Sequence, residues 1–157
     1  MLITTSPISK LKPVCIFILF VSIGPTIFSQ ENLDPLSLIG KDPQYVYSIW
    51  GVPEDILTGR GEKAEWDYAV FHKRGYYLYW IADRVWQIRF DDTYEGSWKG
   101  LKIGTVFPAV DSVLGQPWKI EGNVRIYAVT GYPYPLQIRC YFEENSLIDV
   151  YIYRSAF

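Results

Sequence analysis

The chain has 157 residues, 49% hydrophobic and 20% charged, with a formal net charge of −2. That length and balance fit one domain or two very small ones. They exclude a disordered tail, a collagen-like fibre, a long coiled coil and a multi-span membrane protein, and the lack of a basic excess argues against a nucleic-acid binder. Aromatic residues reach 17%, as 6 Trp, 13 Tyr and 8 Phe, so function is best sought among the aromatics that a core does not use.

The first thirty residues read as an export address. Lys10 and Lys12 form a positive start, the apolar run Val14–Ile23 follows, Gly24-Pro25 breaks it, and Ile27-Phe28-Ser29 ends on a small residue. This is the order of a secretory signal, and the run is half of the ~20 residues that span a bilayer. Residues 1–29 are therefore expected to be a signal peptide, touching the membrane only in transit, with 30–35 as a short N-terminal extension. A cut after Ser29 leaves 128 residues with 13 bases against 17 acids.

Cys15 precedes most of the apolar run, which is the wrong place for lipid attachment, so Cys140 is the one cysteine of the processed chain. No intramolecular disulfide and no Cys-rich metal site can then form. The alternating stretch Gln137-Ile138-Arg139-Cys140-Tyr141-Phe142 predicts a buried thiol. There is no Asn-x-Ser/Thr sequon. An exported, disulfide-free small protein fits a bacterial envelope, either periplasmic or extracellular.

The processed chain repeats itself. Gly40, Val46, Ile49, Trp50, Gly51 and Pro53 recur 64 residues later as Gly104, Val110, Val113, Leu114, Gly115 and Pro117. Downstream, Asp83–Ile88 resembles Asn145–Val150 at a spacing of 62. Internal periodicity of this kind governs the fold reading. Each first segment predicts a short helix. Asp42-Pro43 supplies an N-cap and a first-turn proline. Val46, Ile49 and Trp50 share a helical face, as do Val106, Val110, Val113 and Leu114. Gly51 and Gly115 can take the left-handed stop, and Pro53 and Pro117 prevent continuation. These glycines need no phosphate-loop explanation, because Gly59-Arg60-Gly61 lacks the Lys-Ser/Thr that would make one specific.

Strands are expected after each helix: Lys63–Phe71, Tyr76–Ala82 and Arg84–Phe90, then Val124–Val129, Leu136–Phe142 and Leu147–Tyr153. The predicted fold is α+β: two tandem helix-plus-antiparallel-meander repeats, 36–90 and 101–157, joined by a linker at 91–100. Three strands and one helix make a thin core, so the repeats should share one continuous sheet with both helices on one face.

A short helix ending in Leu-Gly-x-Pro and followed by a meander resembles the unit of the β-lactamase-inhibitor-protein-like fold. The small lipoprotein of the outer-membrane β-barrel assembly machine uses one such unit and the inhibitor uses two. The resemblance covers about residues 36–155 and implies the tandem fold and a sheet that meets proteins. It transfers no functional residue. The assembly lipoproteins are acylated and the inhibitors carry disulfides, and this chain provides for neither.

Catalytic signatures are lacking. His72 is the one histidine, in the basic segment Phe71-His72-Lys73-Arg74-Gly75, and reads as an exposed turn residue. One histidine argues against a catalytic zinc site. Asp91-Asp92-Thr93-Tyr94-Glu95-Gly96 partly imitates a calcium loop, but Lys102 stands where a bidentate glutamate belongs, so a solvated turn is expected. Nothing selects a carboxylate pair for glycoside hydrolysis. No metal, cofactor or enzymatic activity is assigned.

The aromatics carry the remaining information. If Ile138, Cys140, Phe142, Ile148, Val150, Ile152 and Trp80 face the helices, the opposite sheet face carries Tyr77, Tyr79, Gln87, Arg89, Arg125, Tyr127, Gln137, Arg139, Tyr141, Asp149, Tyr151 and Tyr153. Tyr and Arg are the residue types enriched at binding hot spots. The candidate binding residues are Tyr77, Tyr79, Arg89, Tyr127, Arg139, Tyr141, Tyr151 and Tyr153. Two readings of this face stay open, a partner site or a solvated sheet in which tyrosine is an ordinary strand residue. The expected role is a non-enzymatic protein-binding module of the cell envelope. An envelope glycan such as peptidoglycan is the alternative ligand, and a small hydrolase the third reading. Intact-mass measurement of the exported chain should find a polypeptide beginning at Gln30; a mass retaining Lys10 and Lys12 would make the segment an anchor instead.

Overall fold

The computed structural model describes residues 34–62 and 68–155. The expected signal peptide lies outside the described residues, as do 30–33 of the extension and the Lys63–Asp67 part of the first expected strand. No described helix is long and apolar enough to cross a membrane.

The described residues form an α+β structure with one open, eight-stranded antiparallel sheet and two α-helices. A short 3₁₀ turn, Pro35–Ser37, leads into α1 (Pro43–Trp50). Strands β1 (Asp55–Gly59), β2 (Tyr68–Lys73), β3 (Tyr76–Ile81) and β4 (Arg84–Phe90) follow. Then come α2 (Phe107–Leu114), β5 (Lys119–Glu121), β6 (Val124–Val129), β7 (Leu136–Glu143) and β8 (Ser146–Arg154). The spatial order is β1-β2-β3-β4-β8-β7-β6-β5. Each half is thus a four-stranded meander, and the last strands of the two meanders pair at the centre of the sheet.

The four-strand count corrects the expected three. Both missed strands are short and lie at the sheet edges. For β5 the signal was present: Gly122-Asn123 between Glu121 and Val124 is a two-residue hairpin turn, and Glu121 pairs with Val124. For β1 no alternation is visible in Asp55-Ile56-Leu57-Thr58-Gly59. Its place is fixed by pairing with β2, Leu57 opposite Val70.

Both helices start and stop as local chemistry dictates. The Asp42 side chain accepts the Tyr45 amide at 2.9 Å, and Pro43 occupies the first turn. Gly51 has φ 82, ψ −169 and Gly115 has φ 87, ψ −168. These ψ values are not those of the left-handed helix. They belong to an extended region open essentially to glycine alone, which turns the chain away from the helix axis. Each eight-residue helix buries a narrow stripe: Val46 and Trp50 in α1, Val110 in α2. Ile49 and Val113, expected inside, are exposed, because two turns of helix over a flat sheet cover only one row of side chains.

One core runs across the whole sheet under both helices. Phe71, Leu78, Ile88, Ile152, Ile138 and Tyr127 form a single cross-strand row, each opposite the next, and all belong to the buried cluster. Residues directly opposite share a sheet face, so this row defines the inner face. Trp50 meets Tyr76 at 5.6 Å and Phe107 meets Phe142 at 6.4 Å between ring centroids, which seats both helices on that face. Cys140 is buried here as expected, and burial pushes its thiol up to about 12.

Two β-bulges interrupt the alternation. Trp80 pairs with Val85 while Tyr79 pairs with Gln87, leaving Trp86 as the extra residue. Phe142 pairs with Leu147 while Tyr141 pairs with Asp149, leaving Ile148 extra. Counting by twos from Ile152 places Ile148 inside, but the bulge puts Leu147 there instead.

Gly51→Ala should destabilise the protein by about 1–3 kcal/mol, the cost of forcing a Cβ into this backbone region. Thermal unfolding checks this; an unchanged Tm would mean that the α1–β1 junction relaxes freely.

Candidate functional site

The outer sheet face follows from the same register. One row crosses all eight strands: Asp55, His72, Tyr77, Arg89, Tyr151, Arg139, Ile126 and Lys119, each opposite the next. A second contains Leu57, Val70, Tyr79, Gln87, Tyr153, Gln137 and Ala128. A shorter third joins Asp149, Tyr141, Val124 and Glu121. The centre of the first row alternates tyrosine and arginine: Tyr77, Arg89, Tyr151, Arg139. No described helix lies over this face.

Seven of the eight expected residues share this face: Tyr77, Tyr79, Arg89, Arg139, Tyr141, Tyr151 and Tyr153. Tyr127 does not. It stands opposite Ile138, is 1% exposed, and belongs to the core. Arg125, opposite Cys140, turns inward with it. The expectation failed because both residues are polar. The inner face accommodates them through Asp111 of α2, which accepts the Tyr127 hydroxyl at 2.7 Å and pairs with Arg125. Burial, then this hydrogen bond, raises the Tyr127 phenol above its ordinary range.

Arg89 is the hub of the outer face. It makes a bidentate pair with Asp149, at 2.6 Å from Nη2 and 3.0–3.1 Å from Nε. Its guanidinium lies 5.3 Å from the Tyr77 ring and 5.4 Å from the Tyr151 ring, within cation–π range of both. The Asp149 hydrogen bond holds Arg89 charged against the opposing effect of burial. Tyr141 meets Tyr151 edge to face at 5.6 Å. The Tyr153 hydroxyl donates to Gln137 at 2.7 Å, and Arg139 lies 5.7 Å over the Tyr153 ring.

His72 is not in a turn. It lies on β2 of this face, its ring stacked on Tyr77 at 4.3 Å. Its Nε2 accepts the Gly75 amide at 3.2 Å, and Asp55 stands 3.8 Å from Nδ1. The single histidine is thus tied into the sheet and the β2–β3 hairpin. Asp91, first residue of the calcium-like stretch, is 8% exposed. It accepts the Tyr77 hydroxyl, the Thr93 hydroxyl and the Thr93 amide. Its oxygens are spent on closing the linker onto the sheet.

Beside the tyrosine–arginine ladder the face hollows into a groove of about 660 Å³. Tyr141, Tyr151, Tyr153 and Arg139 form its floor, with Trp86 at one side and Trp118 and Lys119 at the other. Sequence reasoning missed those last three. Trp86 is hidden by its bulge, and Trp118 and Lys119 by the unrecognised β5 hairpin. Trp118 is 55% exposed, which is unusual for tryptophan. A second cavity, of about 20 Å³, lies among core side chains near Cys140 and holds at most a water-sized guest.

No family model and no curated protein matches the chain. Two solved structures share its fold. A cysteine-rich secretory protein from Staphylococcus aureus matches with TM-score 0.53 and 11% identity, over 80% of this chain and 46% of its own. An extracellular protein containing an SCP domain, from Bacillus anthracis, matches with TM-score 0.50 and 14% identity, over 94% of this chain and 50% of its own. At these identities the likeness shows fold alone, and this chain spans about half the length of either protein. The expected kinship with the β-lactamase-inhibitor-like fold and the assembly-machine lipoprotein is overturned, since these matches are to secretory and SCP-containing proteins. The motif that suggested it, Leu-Gly-x-Pro after a short helix, reports how such a helix stops and carries no lineage.

The Tyr77–Asp91 bond makes stability pH-dependent at both extremes. Burial draws the Asp91 carboxyl up, but its hydrogen bonds from Thr93 and Tyr77 draw it further down, to a net value below 3.8. That contribution is present above the unfolded value and is lost as pH falls through the folded one. The Asp91 hydrogen bond raises Tyr77 to about 12. Its contribution is complete below about 10, the unfolded phenol value, and is lost as pH rises towards 12. Asp91→Asn should flatten both arms of a Tm–pH profile; arms of wild-type slope would show that other groups carry them.

Proposed function

We propose that this chain is an exported, non-enzymatic module of a bacterial cell envelope that binds a partner protein through its outer sheet face. The observation that carries this reading is the open face itself, where the Tyr77–Arg89–Tyr151–Arg139 ladder runs into the groove flanked by Trp86 and Trp118. Arg89 holds two tyrosine rings in fixed positions, so they can meet a partner with little further loss of side-chain entropy. Tyr, Trp and Arg are the types that dominate binding energy at interfaces.

Export is supported by the leader-like residues 1–29, and by the two fold neighbours, one a secretory and the other an extracellular protein. The non-enzymatic reading is supported by the commitment of His72 and Asp91 to structural contacts. The tandem reading also belongs here. The Gly40 amide donates to the Val85 carbonyl and the Val85 amide to the Lys41 carbonyl, and in the second half the Gly104 amide donates to the Leu147 carbonyl and the Leu147 amide to the Thr105 carbonyl. Trp86 and Ile148 bulge at the same spacing of 62. These coincidences support two copies of one unit, 36–90 and 101–157. One observation favours a glycan ligand as a second reading: the exposed Trp118 ring at the groove edge.

Crosslinking and capture from the native envelope, with the full chain and a Tyr141→Ala/Tyr151→Ala variant side by side, tests the protein reading. One partner captured by the wild type and lost in a variant that stays folded is the expected outcome. Identical capture by both would make the outer face an ordinary solvated sheet.

A further inference from the structure

We infer that Arg139 is an anion-binding residue, and that the groove above it takes a carboxylate from an acidic, extended segment of the partner. This rests on the reading of the outer face as a protein-binding face.

Arg89 and Arg139 lie two strands apart in the same row, each beside tyrosine. Arg89 is neutralised by Asp149, and on the inner face Arg125 is neutralised by Asp111. Among the described residues no carboxylate pairs with Arg139. It interacts with Tyr141 and with the ring of Tyr153, feels the charge of Glu121 without forming an ion pair with it, and its Nε is buried without a hydrogen-bond partner. A guanidinium has five donors in a planar fork, and an unmet buried donor carries a desolvation cost. A carboxylate arriving from outside would meet the guanidinium at its Nη edge and supply the paired charge that Arg89 and Arg125 already have.

The surroundings suit such a guest. No aspartate or glutamate lines the groove, and two further cations do: Lys119 at its edge, where it also pairs with Glu121, and Arg154, whose guanidinium lies over the Tyr134 ring. This positive patch is local, because acids outnumber bases in the chain as a whole. The groove volume of about 660 Å³ lies within the usual range of binding sites. The floor residues lie on β7 and β8, strands in the interior of the sheet with a neighbour on each side. Free backbone groups are therefore not offered, and recognition must run through side chains.

The same geometry disfavours a sugar. Stacking needs open ring faces, but Arg89 and Tyr141 crowd Tyr151 and Arg139 lies over Tyr153. Trp118 alone, at the groove edge, presents a largely exposed ring.

Fluorescence anisotropy with the full chain tests this, using labelled octaglutamate as the probe, octaglutamine as its neutral counterpart and octagalacturonate as an acidic glycan. Octaglutamate should bind, and octaglutamine should bind at least about tenfold more weakly, the scale expected of a charge-assisted pair. Arg139→Gln should reduce octaglutamate affinity by a similar factor, Arg139→Lys should restore part of it, and Arg84→Gln, an exposed arginine at the β3–β4 turn, should change nothing. Equal affinity for the two peptides, or undiminished binding by folded Arg139→Gln, overturns the inference. Arg139-dependent binding of octagalacturonate without octaglutamate overturns it too, in favour of a glycan. If peptide binding fails while the Tyr141/Tyr151 variant still loses its envelope partner, only the role of Arg139 falls. If that variant keeps the partner, the face reading falls with it.

Discussion

A helix of eight residues over four strands covers a single row of side chains, so neither half of this chain can close a core alone. The pairing of β4 with β8 removes that difficulty. Ile88 and Ile152 meet at the seam with no exposed surface, each contributing roughly 1.5–3 kcal/mol by leaving water. Phe90 and Val150 extend the contact. On the other side of the same two strands Arg89 meets Tyr151 across the seam and grips Asp149. The strand pair that completes the hydrophobic core therefore also fixes the polar ladder, and a displacement of one would break the other.

This coupling explains why the outer face is ordered without being covered. An open sheet face normally carries long side chains that sample several rotamers. Here Arg89 is held by a bidentate carboxylate pair and by two rings, Tyr77 is anchored by Asp91, and Tyr153 by Gln137. The half-buried ion pair is worth more than an exposed one and less than its Coulomb attraction suggests. Its larger effect is to set positions. Arg139 stands apart because, among the described residues, its charge is felt by Glu121 but no carboxylate forms an ion pair with it, and the groove opens beside it.

Much of this was legible in the sequence, for identifiable reasons. The two helices announced themselves through Asp42-Pro43, Gly51 and Gly115, because caps and stops are local chemistry. Six strands were visible through β-branched and aromatic alternation. The outward placement of Tyr77, Tyr79, Arg89, Arg139, Tyr141, Tyr151 and Tyr153 followed from strict period two within a strand. What escaped was set between strands. The facing of Tyr127 depends on its register against Ile138, and no feature within Val124–Val129 specifies it. Ile148 and Leu147 exchanged places because a bulge shifts the count by one. Family kinship was misread because a helix stop is shared by unrelated folds.

The groove shows why these errors cluster at the candidate site. It is bounded by Trp86, an extra residue in a bulge, and by Trp118 and Lys119, which enter through an edge hairpin of three-residue strands. Regular alternation produces a flat face. Departures from it bend the sheet, re-aim large side chains and leave a concavity between them. A site assembled from such departures is therefore hard to read by periodicity, since the residues that shape it are those that break the pattern. The residues at its floor, Arg139, Tyr141, Tyr151 and Tyr153, keep the pattern and were readable; its walls were not. Both the regular floor and the irregular walls are needed to leave a guanidinium partly sheltered, unpaired with any carboxylate, and open to an approaching anion.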